Sequence, residues 1–291
     1  MLVLALAWPV LLAATAKAQN LIFVSDDELN TIGEYTDSGS TVNAALITGL
    51  NSPEGIAISG TNLFVANLGS GTIGEYTTSG ATINASLITG LNDPEDIAIS
   101  GTNLFVGNLE NGNIGEYTTS GATINASLIN AGNPLGLAIS GNDLFVASGT
   151  IGEYTTSGAT INASLITGLN DPFGLAISGA NLFVANKGFE DGTGTIGEYT
   201  ISGETNNSSL ISGLDSPSYL AVVPLSPPPV AITTVSNQPV VIWPGPPQGY
   251  VLQMTTNLAC SNWVTVSNGI PFTGLQITNA PSPAFFRLSL P

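Results

Sequence analysis

Apolar runs of four or five residues recur along the first 223 positions, separated by Gly, Asn, Asp, Ser and Pro, and they fall into four kinds. The first kind is GIAIS at Gly55, DIAIS at Asp96, and GLAIS at Gly136 and Gly174. The second is LFVAN at Leu63 and Leu182, LFVGN at Leu104 and LFVAS at Leu144. The third is IGEYT, beginning at Ile32, Ile73, Ile114, Ile151 and Ile196. The fourth is ATINASLI or a variant, beginning at Ala81, Ala122 and Ala159. Runs this short, rich in β-branched and aromatic residues and bounded by turn formers, predict strands. Gly-Thr-Asn or Gly-Asn-Asp between the first and second kinds predicts a tight hairpin, where positive φ is tolerated.

The four kinds follow one another in a fixed order. IGEY recurs at spacings of 41, 41, 37 and 45 residues, and the 21 residues Gly74 to Pro94 return unchanged at Gly152 to Pro172. A unit of about 41 residues holding four strands is the signature of a propeller blade. The chain enters this series on a second-kind run, Leu21 to Val24, and leaves it on a first-kind run, Tyr219 to Val223. One terminal strand therefore completes the blade begun at the other terminus. The expectation is an all-β chain: a five-bladed β-propeller closed by the last strand of the repeat region. Closure removes sheet edges that would otherwise pair with other chains. Phe23, Phe64, Phe105, Phe145 and Phe183, with Tyr35, Tyr76, Tyr117, Tyr154 and Tyr199, read as core between blades.

Outside the repeats the pattern changes. Leu2 to Ala16 is apolar and ends in Ala16-Lys17-Ala18, the form of a cleaved export leader over 1–18. The propeller is assigned to 19–224, a proline-rich stiff linker to 225–230, and a small C-terminal β-sandwich to 231–291. Strands in this tail are expected near Val240–Trp243, Tyr250–Gln253, Trp263–Val266, Leu275–Ile277 and Phe285–Leu288. No later run approaches the length of a membrane span.

Charge narrows the partners. All twenty acidic residues lie between Asp26 and Asp215, where Lys187 is the only cation. Such a body lacks the Lys/Arg contacts to phosphate that dominate nucleic-acid affinity, so nucleic acid is excluded. The remaining classes are a protein, a polysaccharide or a cation. The single Cys260 allows no internal disulfide, and the chain contains no histidine.

Pro-x-Gly-Ile/Leu-Ala-Ile, then Asn-Leu-Phe-Val-Ala-Asn, then Ile-Gly-x-Tyr resembles the NHL repeat and its SMP-30/gluconolactonase-like and streptogramin-lyase-like relatives. The resemblance covers Leu21 to Val223 and implies the propeller fold. Asn67, Asn108, Asn186 and Ser148 stand where the NHL pattern usually has Asp. The lyase-type relatives depend on histidines, which this chain lacks. The lactonase-type relatives hold a divalent metal with Glu, Asn and Asp. The tail resembles the short C-terminal β-domain of many exported bacterial proteins.

Candidate chemistry lies on the rim where the fourth-to-first and second-to-third connections meet. Oxygen ligands converging from several loops suit Ca²⁺, and Asp93, Asp96, Asp171 and Asp215 are the candidates, although Asp in such turns also bonds its own backbone. No cofactor is required by any motif. The second-to-third connection is extended at Lys187-Gly188-Phe189-Glu190-Asp191-Gly192, and Phe173 replaces Glu95 of the earlier copy. Lys187, Phe189, Glu190, Asp191 and Phe173 therefore form the candidate binding patch. Glu34, Glu75, Glu116, Glu153 and Glu198 read as solvated strand residues. Near-identical blades offer the same groups repeatedly, whereas an active site needs different groups in different roles. The sequence points to an exported, monomeric binding module, secreted, periplasmic or on the cell surface. The alternatives are a metal-dependent hydrolase or lactonase of the SMP-30 type and a purely structural surface repeat.

Overall fold

A computed structural model of the chain describes residues 21–36, 39–189 and 192–220, together with the backbone of six strands between 231 and 289. The chain divides into two compact units, Met1–Val222 and Val223–Pro291. The expected leader over 1–18 and the linker over 225–230 lie outside the described residues.

The repeats form a five-bladed β-propeller. The first blade has β1 (Leu21–Asp26), β2 (Thr31–Thr36) and β3 (Thr41–Thr48). The second has β4 (Pro53–Ser59), β5 (Asn62–Asn67), β6 (Thr72–Thr77) and β7 (Thr82–Thr89). The third has β8 (Pro94–Ser100), β9 (Asn103–Asn108), β10 (Asn113–Thr118) and β11 (Thr123–Asn130). The fourth has β12 (Gly136–Ser140), β13 (Asp143–Ala147), β14 (Ile151–Thr155) and β15 (Thr160–Ile166). The fifth has β16 (Pro172–Ser178), β17 (Asn181–Asn186), β18 (Gly194–Thr200) and β19 (Thr205–Leu214). Each blade is an antiparallel meander in sequence order.

The packing follows from which strand is buried on both faces. The second strand of the later blades is almost wholly apolar and buried, whereas the fourth alternates polar and apolar residues and lies exposed. Phe64, Ile73 and Ile88 of the second blade pack against Ile97, Leu104, Val106 and Tyr117 of the third. Equivalent clusters join the third blade to the fourth, the fourth to the fifth, and the first to the second. Burying one such phenylalanine contributes roughly 1.5–3 kcal/mol. The seam between the fifth and first blades differs. Ile22 and Val24 of β1 are 46% and 45% exposed there, and Phe183 and Tyr35, expected as core, are only half-buried.

The repeated letters have local reasons. The Tyr76 ring folds back over Gly74, where a β-carbon would sit 2.7 Å from the ring, so IGEY needs its glycine. The Thr77 hydroxyl accepts from the Ala81 N–H at 3.0 Å and sets the TTSG turn. The register of the third and fourth strands shifts opposite Glu75, and Asn84 Oδ1 there accepts from the Ser86 N–H at 3.1 Å. The same bond recurs at Asn43, Asn125, Asn162 and Asn207, which explains the repeated Asn-x-Ser/Ala triplet.

The strand-three glutamates depart from the solvated reading. Glu34, Glu75 and Glu116 are buried. Asn62, Asn103 and Asn181 each donate from Nδ2 to the glutamate of their own blade, Glu75, Glu116 and Glu198, at 2.7 Å. In the fourth blade Asp143 stands in the asparagine's place. Burial, with the Asp143 charge beside it, pushes the Glu153 carboxyl up from its ordinary value.

In the second unit the described backbone forms two three-stranded antiparallel sheets. One contains β20 (Ala231–Val235), β21 (Gln238–Ile242) and β24 (Gly274–Gln276). The other contains β22 (Val251–Thr255), β23 (Val264–Ser267) and β25 (Phe285–Ser289). The β20 strand was absent from the sequence reading, because Ala231–Val235 follows directly on a run of prolines.

Candidate functional site at the channel mouth

The inner strands β4, β8, β12 and β16 surround a central channel with the segment 217–220, which the sequence assigned to a closing strand but which forms no strand among the described residues. Pro53-Glu54-Gly55-Ile56, Pro94-Glu95-Asp96-Ile97, Pro134-Leu135-Gly136-Leu137, Pro172-Phe173-Gly174-Leu175 and Pro217-Ser218-Tyr219-Leu220 are equivalent. Ile56, Ile97, Leu137, Leu175 and Leu220 line a cavity of about 470 Å³ together with Glu54, Asp96 and Tyr219. The starts are crowded. The Gly174 N–H donates to the Ser218 carbonyl at 2.7 Å. A β-carbon on Gly174 would lie 2.8 Å from the Tyr219 Cα.

Three of these five positions are glycine; the exceptions are Asp96 and Tyr219. Asp96 is buried and its two oxygens accept from the N–H groups of Ile97 and Leu137, each at 2.8 Å, which ties β8 to β12. Burial dominates over those bonds and pushes its carboxyl up to about 7. Tyr219 projects toward the third blade. Its hydroxyl donates to the Glu95 carboxylate at 3.3 Å, with a longer contact to the Glu95 carbonyl at 3.4 Å. Burial, and the charges of Asp96, Glu95 and Glu54, raise the Tyr219 phenol above its ordinary value.

One residue earlier on the register the differences are larger: Glu54, Glu95, Leu135, Phe173 and Ser218. Glu54, Glu95 and Phe173, with Asp27, Lys187 and Tyr219, surround a second cavity of about 310 Å³ at the channel mouth. The Lys187 ammonium sits 3.6 Å from the centroid of the Phe173 ring. Phe173 meets Tyr219 edge to face at 5.2 Å between centroids. Glu54 is pushed up to about 7 by burial first, then by the charges of Glu95 and Asp27, with Lys187 opposing. Glu95 is also raised by burial, with the Tyr219 hydrogen bond and Lys187 pulling the other way.

The rim that frames this mouth is held by positive-φ residues. Ser52, Asp93 and Asp171 have φ of 46°, 49° and 56°. Their carbonyls accept from the N–H groups of Leu68, Leu109 and Lys187 at 3.0, 2.9 and 2.9 Å. The connections into the second, third and fifth blades are thereby pinned to the second-to-third connection of the blade they enter, and the last of these bonds holds Lys187 at the mouth.

The residues singled out in sequence are partly brought together. Lys187 and Phe173 are in contact, but Phe173 is buried beneath the lysine rather than exposed. Phe189 is 80% exposed, and Glu190 and Asp191 lie outside the described residues. Of the calcium candidates, Asp93 and Asp171 act through their backbone in turns, Asp96 is spent on two backbone N–H groups, and Asp215 is exposed. Among the described residues no group of three or more carboxylates is arranged to hold a metal ion. The sequence reading missed Tyr219, taken only as the start of a strand. Its signal was present: a tyrosine on the register where the other copies carry Gly or Asp.

No family model matches the chain, and no curated protein is similar to it in sequence. Solved structures do match in fold. A nidogen/laminin complex aligns with a TM-score of 0.57 at 20% identity, over 69% of this chain and 80% of that one. A streptogramin B lyase aligns with a TM-score of 0.54 at 21% identity, over 70% of each chain. A catalytically inactive histidine-to-alanine variant of virginiamycin B lyase from Staphylococcus aureus, with quinupristin, aligns at 0.52 and 18% identity, over 78% and 74%. At these identities the likeness is one of fold. No helix among the described residues is long and apolar enough to cross a membrane.

Proposed function

We propose that this chain is an exported, non-catalytic binding module of the NHL-like propeller class, and that its ligand is recognised at the channel mouth. The observation that carries this reading is the break in pseudo-symmetry. Blades whose strands repeat closely present Glu54, Glu95, Leu135, Phe173 and Ser218, four residue types at five equivalent positions, at the mouth, where two aromatic rings, a lysine and three carboxylates converge on one cavity. A structural ring with no ligand has no use for such a difference, and unlike groups gathered in a concave site are the usual mark of recognition.

The fold neighbours supply both kinds of precedent, a complex between two proteins and a lyase. The virginiamycin B lyase variant with one histidine replaced by alanine is catalytically inactive, and this chain has no histidine to serve such chemistry. The hydrolase reading has one observation in its favour: Glu54 and Asp96, both pushed up to about 7, line one cavity. Perturbed carboxyls of this sort also occur at catalytic sites.

The two readings separate in a turnover assay. Chromogenic esters and lactones are offered to the protein with Ca²⁺, Mn²⁺ or no metal, beside a Glu54→Gln, Asp96→Asn variant. The binding reading expects equal background rates from both proteins. Turnover by the parent that the variant lacks would replace it with the hydrolase reading.

A further inference from the structure

We propose that the channel mouth receives an extended aliphatic cation, the side chain of a lysine or arginine on a partner polypeptide, and that Lys187 occupies that place as a tethered surrogate until the partner displaces it. The inference rests on the mouth being the ligand site and adds the chemical class of the ligand.

Three observations carry it. The Lys187 ammonium lies over the face of the Phe173 ring, at a distance where ring and cation attract. The ring is held for this purpose, since Phe173 is buried and braced edge-on by Tyr219, which is itself tied to Glu95. A cavity of about 310 Å³ remains beside the ammonium, bounded by Asp27, Glu54 and Glu95. The site thus holds a cation over the Phe173 ring, and the space beside it can take the Lys187 ammonium when an incoming cation displaces it.

Charge balance points the same way. Asp27, Glu54 and Glu95 line the mouth, Asp96 lines the adjoining channel, and Lys187 is the only cation of the propeller. Buried carboxyls without counter-charge keep their protons instead of ionising, as Glu54 and Asp96 do up to about pH 7. A ligand that brings a second positive charge lets them ionise, so binding releases protons and strengthens as pH rises. The groups facing the site from every side are Asp27 from the first blade, Glu54 from the second, Asp93, Glu95 and Asp96 from the third, Lys187 from the fifth, and Tyr219. Tyr219 is raised above its ordinary value, and Glu54 and Asp96, both pushed up to about 7, are the groups whose charge changes near neutral pH.

The experiment is isothermal titration calorimetry on the full chain. The probes are acetylated, amidated glycine pentapeptides with a central lysine, arginine or glutamine, with butylamine beside them. Lys187→Met removes the surrogate while keeping an aliphatic cover on Phe173. The proposal expects the lysine and arginine peptides to bind Lys187→Met at least tenfold more tightly than the parent, and the glutamine peptide to bind neither. It also expects affinity to rise at least tenfold from pH 5.5 to pH 8, with proton release read from buffers of different ionisation heat. Glu95→Gln in the Lys187→Met background should weaken the peptides without unfolding the protein, checked by its circular dichroism. Equal affinity of parent and Lys187→Met, or equal binding of the glutamine peptide, would overturn the proposal. Butylamine binding as tightly as the lysine peptide would overturn the polypeptide partner. If a neutral oligosaccharide or an acidic peptide bound at the mouth while the basic peptides did not, the cation class would fall and the mouth would stand as the site. Absence of binding by every probe to both proteins would remove the mouth reading with it.

Discussion

The Tyr219 hydroxyl donates to the Glu95 carboxylate across 3.3 Å, although the two residues are 124 positions apart in sequence. The bond joins the last described residues of the repeat region to the third blade, and it fixes the edge against which Phe173 leans. Tyr219→Phe removes the donor and keeps the ring. Because that bond lowers the Glu95 pKa, the variant should titrate Glu95 at higher pH, read from its side-chain carboxyl carbon by NMR. The cost in stability should be about 1 kcal/mol. An unchanged titration would show that the bond has no electrostatic weight.

Stability should depend on pH in a direction opposite to that of a salt-bridged protein. Glu54 and Asp96 have ordinary values of 4.5 and 3.8 and are pushed up to about 7 in the fold. Between those limits the native state holds protons that the unfolded chain has released, so stability falls as pH rises. Their contribution is greatest near pH 4 and is lost by about pH 7 to 8. Denaturant midpoints measured across this range should show the decline, and Glu54→Gln should flatten part of it and raise the midpoint at pH 8.

The fourth blade carries a repairable defect. Asp143 faces Glu153 where the second, third and fifth blades pair an asparagine with their glutamate. Asp143→Asn should restore the hydrogen bond, remove a like-charge contact, and stabilise the protein by about 1 kcal/mol. Thermal unfolding at pH 7 would register the gain, and a lower midpoint would contradict the reading of this position.

The start of β16 has no room for a side chain. A β-carbon at Gly174 would lie 2.5 Å from the Ser218 carbonyl oxygen and 2.8 Å from the Tyr219 Cα, both backbone atoms that cannot step aside. Gly174→Ala should therefore cost about 1–3 kcal/mol and should loosen Tyr219 from Glu95. The same change at the exposed Gly168 loop, where φ is 73° and nothing lies within 4 Å, would carry only the backbone penalty.

Much of the architecture is legible in the sequence. The spacing of IGEY determined the blade length, and the runs LFVAN and IGEYT announced strands buried on both faces by having almost no polar positions. The site was less legible, because it is made of departures from the repeat rather than of the repeat. Asp96 and Tyr219 look like ordinary strand residues until the five Pro-x-x-Ile/Leu segments are aligned on their prolines. Lys187 stands near Phe189 in sequence, yet the ring it covers is Phe173, fourteen residues away on the inner strand. Adjacency along a loop says little about which ring a side chain reaches. The buried Asn–Glu pairs were hidden for a related reason, since thirteen or more residues separate their partners and only the strand register brings them together.

The central claim is that recognition occurs at the channel mouth, and the most direct measurement is chemical-shift mapping of the backbone amides while a central-lysine peptide is titrated into Lys187→Met. The account predicts perturbations confined to Ser25 to Asp27, Glu54 to Ile56, Glu95 to Ile97, Phe173 to Leu175 and Ser218 to Leu220, with the exposed strands β7, β11, β15 and β19 unmoved. Perturbations on those outer strands with none at the mouth would contradict it.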